Sequence, residues 1–257
     1  MEEGVEICDL VVGVDFGTAY TGVAHCFVGT PGRIEVIDEW PGVGRSNERV
    51  KVPTEISYQD RSQSRWGYDI PQGHDRYGWF KLHLDPGACQ RAYNDAAFTE
   101  TISQMSQGSS TSRSLAPGKT ASDMTTDYLK LVYRHTMDML EKTSFKPCLD
   151  NVRIKFVITC PAIWSPAAQD ETRRAAQQAG FGSRPIDMIE MVSEPEAAAN
   201  YTLKTFDDNL QSAPGSSSSN LAGAAGWEVS YARSKFWQSM CRDSLTRELG
   251  WESNHGV

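Results

Sequence analysis

Apolar positions recur along the chain with two different periods, and the change from one to the other organises it. Leu10 to Phe16 is a continuous apolar run, the pattern of a strand buried on both faces. Thr21 to Val28 reads as a second strand. Thr30-Pro31-Gly32 reads as a turn, and Arg33-Ile34-Glu35-Val36-Ile37-Asp38 alternates as a half-buried third strand. These segments predict a meander, followed by a polar loop from Pro41 to Asn47. Val52 to Tyr58 and Ser64 to Tyr68 read as two further short strands. Trp79 to Leu84 is aromatic and amphipathic, a short helix that Asp85-Pro86-Gly87 ends. Residues 99–118 are rich in Ser, Thr, Gln and Gly, which predicts a mobile loop or insertion.

The period then lengthens. Met124, Tyr128, Leu131, Val132, His135, Met139 and Leu140 recur at helical spacing, so a helix starts at Asp123 or slightly before. His135 lies within that stripe and reads as a packed core-edge histidine; the methionines read as core filler. Val152 to Thr159 alternates as a strand. Ser165 offers an N-cap and Pro166 the first position of a helix through Ala179, which Gly180 stops. Ile186 to Val192 reads as another strand, and Glu194-Pro195 opens a helix from Glu196 to about Thr205. Strand, helix, strand, helix implies an α/β layer. Beyond it the character changes: residues 207–226 read as linker, and 227–257 as a charged, aromatic tail able to form a helix without a clear partner. No repeat at a solenoid period is present.

Composition narrows the function classes. Among 257 residues, 39% are hydrophobic and 23% charged, ordinary for a soluble globular protein. A net charge of −8 argues against general nucleic-acid or anionic-membrane binding but leaves a nucleotide open, because one site needs only local donors. No segment approaches the roughly 18 apolar residues of a membrane span. The acidic start, Met1-Glu2-Glu3, is unlike a secretory signal. The six cysteines are scattered with no CxxC, which argues against zinc and for a reducing, cytoplasmic setting. The sequon at Asn200 reads as chance in that setting.

The run Asp15-Phe16-Gly17-Thr18-Ala19-Tyr20 carries the candidate chemistry. An apolar strand ends in an acid, a glycine and a hydroxyl and turns into a second strand, as a phosphate-binding hairpin does. Asp15 is able to hold a metal-bound water. Gly17 lacks a Cβ and lets an oxygen approach the backbone, and the N–H groups of Thr18 and Ala19 are placed to form an anion-binding concavity. The same run is also a tight hairpin with a buried aspartate.

Three segments in order, Val12-Gly13-Val14-Asp15-Phe16-Gly17-Thr18, Val157-Ile158-Thr159-Cys160-Pro161-Ala162 and Ser193-Glu194-Pro195-Glu196-Ala197-Ala198-Ala199, give the chain a resemblance. It resembles the nucleotide-binding domain of the heat shock protein 70 chaperones, within the actin, hexokinase and chaperone ATPase superfamily. It resembles the divergent cytosolic relatives of fungi and animals in particular, and the match covers roughly residues 9–206. The resemblance implies a ribonuclease-H-like, actin-type ATPase lobe: a mixed sheet with flanking helices over 1–206 and a small inserted subdomain at about 45–145. It implies ATP with Mg2+ as cofactor. Asp15 would orient the magnesium hydration shell, while Gly17, Thr18, Ala19 and Tyr20 line the phosphates. A second hydroxyl usually stands where Ala19 does. Glu194 falls on the catalytic glutamate and Lys81 on a lysine that reaches the γ-phosphate. Pro161 falls on a proline relay and Arg173 on its arginine partner.

Bland readings stand beside these. A carboxylate opening a helix is a good N-cap, Lys81 reads equally as a snorkelling surface lysine, and Arg174 is as good a partner for Pro161 as Arg173. Residues 207–257 contain no acid-Gly-Gly-Gly-Thr, the second phosphate hairpin of the family, and no adenosine-binding glycines. The expectation is therefore a lobe cut short of its second half, with an incomplete site and weak or absent ATP hydrolysis. The alternatives are a non-catalytic scaffold for a co-chaperone or other protein partner, and a truncated gene model of a full-length ATPase.

Overall fold

Strand β1 (Leu10–Phe16) lies at the centre of the main sheet because both of its edges and both of its faces are covered. The structure, a computed structural model, describes residues 8–30, 33–44, 49–60, 63–88, 112–142 and 149–197. β2 (Tyr20–Phe27) returns antiparallel to β1, with Leu10 opposite Phe27 and Asp15 opposite Gly22. β3 (Glu35–Val36) and β4 (Val52–Pro53) both pair with β2. On the other edge β1 pairs in parallel with β9 (Ile154–Cys160), and β9 with β10 (Met188–Ser193). The path β3-β2-β1-β9-β10, three antiparallel strands followed by parallel ones, is a mixed sheet of the kind the resemblance implied.

Alternation along β1 sorts its side chains onto two faces. Leu10, Val12, Val14 and Phe16 join Ile154, Phe156 and Ile158 of β9 in the larger core. Two helices cover that face. In α1 (Ala121–Leu140), Met124, Tyr128, Val132 and Leu140 point into the core; in α2 (Pro166–Ala179), Ala176 and Ala179 do. The small α2 side chains bring that helix close to the sheet. Burying each ring or aliphatic group is worth about 1.5–3 kcal/mol. Phe16, Phe80 and Tyr128 pack at ring-centroid distances of 5.8 to 6.4 Å. Val11, Ala24, Cys26, Val157 and Val192 form a second cluster on the opposite face, together with Ala197.

Helix ends follow the sequence signals. Thr120 and Asp123 close a capping box on α1 through N–H bonds of 3.1 and 2.9 Å. Ser165 caps α2, Pro166 sits in its first turn, and Gly180 ends it at φ 119°. A Cβ at Gly180 would lie 2.6 Å from the Tyr133 ring, so glycine is required there on two counts. His135 is a packing group, stacked 5.2 Å from Trp40 and bonded through Nε2 to the Glu39 carbonyl.

Other elements differ from expectation. The third strand shortens to Glu35–Val36. The run from Val52 to Tyr58 is split by Thr54 into β4 and β5 (Glu55–Ser57), which belong to different sheets. β6 (Arg65–Trp66), β5, β7 (Arg76–Gly78) and β8 (Ser112–Arg113) make the smaller sheet. β7 carries only three residues, too few for a period to register. Phe80–Leu84 is a 3-10 turn entered through Trp79 in left-handed conformation, φ 61°. Residues 194–197 are helical. The rest of that helix, the linker and the tail lie outside the described residues, as does most of the 99–118 segment.

Candidate functional site

The parallel strands β1, β9 and β10 all end along one rim of the sheet. Ligands of open α/β sheets bind outside the carboxyl ends of such strands. Asp15 and Thr159 stand at the ends of β1 and β9, and Glu194 directly follows β10.

The hairpin between β1 and β2 is built by its own backbone. Gly17 N–H donates to the Tyr20 carbonyl at 3.1 Å, and a Cβ on Gly17 would lie 2.3 Å from that same oxygen. Glycine is thus demanded by the turn itself. Thr54, between the two sheets, braces the loop: its hydroxyl donates to the Gly17 carbonyl at 2.9 Å and its N–H to the Ala19 carbonyl at 2.8 Å. The N–H groups of Thr18 and Ala19 donate to no acceptor among the described residues. Tyr20 is exposed at the lip.

Asp15 lies on the second face of the sheet and is buried. Thr159 donates its hydroxyl to Oδ1 at 2.9 Å, and the Lys51 ammonium stands 3.7 Å from Oδ2. Burial pushes the Asp15 carboxyl up to about 6, against the pull of Lys51.

Lys81 is 1% exposed, which removes the surface-lysine reading. Its Nζ donates to the Phe16 carbonyl and, at 3.3 Å, to Oε1 of Glu194. It also lies 5.1 Å from the Phe16 ring centroid and 5.3 Å from that of Trp164. A buried ammonium is costly unless paired and hydrogen-bonded, and these contacts supply both. Asp85 fixes the turn that carries Lys81 by accepting from Ala88 N–H at 2.9 Å and from Ser165 N–H at 2.7 Å. Cys160 is buried near Lys81 and Glu194, and burial pushes its thiol up.

Two acids and two lysines therefore converge from four parts of the chain: Asp15 with Lys51, and Glu194 with Lys81. Among the described residues no three His, Cys, Asp or Glu groups converge as a direct metal site. Magnesium instead takes one or two carboxylates, nucleotide phosphates and retained waters. Asp15 and Glu194 fit that mode, each already facing a lysine.

Pro161 and Arg173, the expected relay pair, have separate hydrogen-bond partners. Arg173 donates to the Ile189 carbonyl of β10 at 3.4 Å, and Pro161 accepts from Trp164 N–H through its carbonyl. Arg174 pairs with Asp170 at 2.7 Å on the exposed side of α2. Sequence reasoning assigned no role to Lys51, Thr54 or Thr159. Their importance comes from register between strands, which leaves no local signal.

Fold and site together define an α/β unit built on a mixed sheet, with acids and lysines gathered at the rim beside the β1–β2 hairpin. Among curated proteins the chain is 29% identical over 205 residues to heat shock 70 kDa protein 12A of Homo sapiens, and 28% identical to the Mus musculus protein. It is 29% identical over 201 residues to heat shock 70 kDa protein 12B of Homo sapiens. The resemblance to the heat shock protein 70 family is thus borne out by relatives of that family. Each alignment covers 76% of this chain and 28% of the relative, so the chain spans less than a third of the length of the curated relatives it matches. No family profile matches. Among solved structures, a non-polymerising mutant of MamK bound to AMPPNP aligns at a TM-score of 0.40 and 15% identity, over 77% of this chain and 44% of that one.

Proposed function

We propose that the rim binds the phosphate tail of ATP, with the Thr18 and Ala19 N–H groups as backbone donors and Lys81 as the charged one. The observation that carries this reading is the burial of Lys81 between the Phe16 carbonyl and Glu194, at the foot of the hairpin. Phosphoryl chemistry is served by a desolvated cation positioned in advance, which these contacts provide. Magnesium would supply further charge to the phosphates, its water competing with Thr159 and Lys51 for Asp15. Glu194 is the carboxylate placed to orient an attacking water. The donors among the described residues form one wall, and one wall by itself binds weakly and turns over slowly or not at all.

Titration calorimetry with Mg-ATP tests this. The native chain is expected to bind with a Kd weaker than about 10 μM. Lys81→Ala weakens binding by at least about tenfold, the weight of a charged hydrogen bond. Absence of binding by the native chain at millimolar ATP overturns the reading and leaves a scaffold for protein partners.

A further inference from the structure

Lys51 is a charged group of the rim to which the resemblance gives no role. It directly precedes β4, whose register on β2 places Val52 opposite Thr21. One step further along that pairing lies Gly22, which in turn stands opposite Asp15. Asp15, Gly22 and Lys51 therefore form a row across three strands, and the middle position has no side chain. The lysine side chain brings its ammonium to the carboxylate at the other end of that row. Both ends of the pair are buried, with side-chain exposures of 10% and 9%. A coincidental surface pair is screened by water and carries little weight; this one is shielded.

We infer that Lys51 is a fixed cation of the phosphate site, a positioning residue that supplies at Asp15 the charge a hydrated divalent metal would bring, so that ATP binding by this chain depends little on magnesium. The inference rests on the proposed nucleotide reading. Both Asp15 oxygens are engaged, Oδ1 by the Thr159 hydroxyl and Oδ2 by Lys51, so a metal-bound water must compete for them. Lys51 and Lys81 together carry the formal charge of one divalent cation and are held within the protein, where their attraction for an incoming polyanion is weakly screened. The two acids offset the two lysines at the rim. An arriving triphosphate can replace the acids as the lysines' partner without a metal as intermediary.

Calorimetry with ATP in excess EDTA and in excess magnesium separates the outcomes. The native chain is expected to bind within about threefold in the two buffers. Lys51→Met loses about tenfold in EDTA and recovers in magnesium, while Lys51→Arg keeps the native insensitivity. Thermal melts of each variant establish that it is folded; if Lys51→Met is not, the native ratio and Lys51→Arg decide. Native binding in magnesium that EDTA abolishes overturns the inference and leaves the nucleotide reading standing. The same ion dependence in Lys51→Met as in the native chain also overturns it. No native binding in either buffer overturns both.

Discussion

Asp15 carries an energetic penalty that its neighbours only partly offset. Its carboxyl moves from 3.8 up to about 6, chiefly because the charged form has lost water, with Glu194 adding to the rise and Lys51 opposing it. A raised acid binds more protons folded than unfolded. Its contribution to stability is complete below the unfolded value and is lost as pH rises through about 6. Asparagine mimics the protonated form and lacks that dependence. The stability of the native chain relative to Asp15→Asn should therefore fall by about 2 kcal/mol between pH 4.5 and 7.5. Urea titrations at the two pH values measure it, and a change of opposite sign contradicts the burial account. Lys81 teaches a related lesson at this scale. From sequence it was equally a snorkelling surface residue, and only the positions of Phe16 and Glu194 around it decide the matter.

At the scale of elements, the hairpin shows how one residue type serves two masters. Gly17 was read as an opening for phosphate oxygen, yet the atom a Cβ would strike is the Tyr20 carbonyl of the same turn. Gly17→Ala should destabilise the chain by about 1–3 kcal/mol, the usual range for overpacking, seen as a lower urea midpoint with unchanged slope. An unchanged midpoint would show that the turn relaxes at no cost. Loss of nucleotide binding in that variant would follow from the turn and says nothing by itself about phosphate. Element ends were legible wherever the chemistry is local: Ser165, Pro166 and Gly180 bound α2 where the sequence places them. The split at Thr54 was not legible. Val52 to Tyr58 has one continuous strand pattern, and only pairing partners far away in sequence assign its halves to different sheets.

Across the whole molecule, the residues that meet at the rim divide by how they are reached. Asp15 and Glu194 lie in recognisable runs at strand ends. Lys51, Thr54 and Thr159 matter because of which strand lies beside which, a property distributed over the chain. Thr159 was inside a quoted motif and still had no role, since its partner is 144 residues away. α1 was placed within the inserted region by sequence order; in space its Met124, Tyr128 and Val132 share one core with β1 and β9.

That separation also orders events in time. β1 and β2 close through a turn of a few residues, and hairpins of this kind form in about 1–10 μs. The parallel partner β9 must close a loop of well over a hundred residues, which is slow. The backbone donors at Thr18 and Ala19 are thus expected to form before Thr159 reaches Asp15. Contacts made after the rate-limiting barrier act on the reverse reaction. In stopped-flow urea jumps, Thr159→Ala should speed unfolding while changing the refolding rate by less than about twofold; slowed refolding would place β9 in the nucleus instead. The rim is then the last part of the lobe to be completed and the first to come apart.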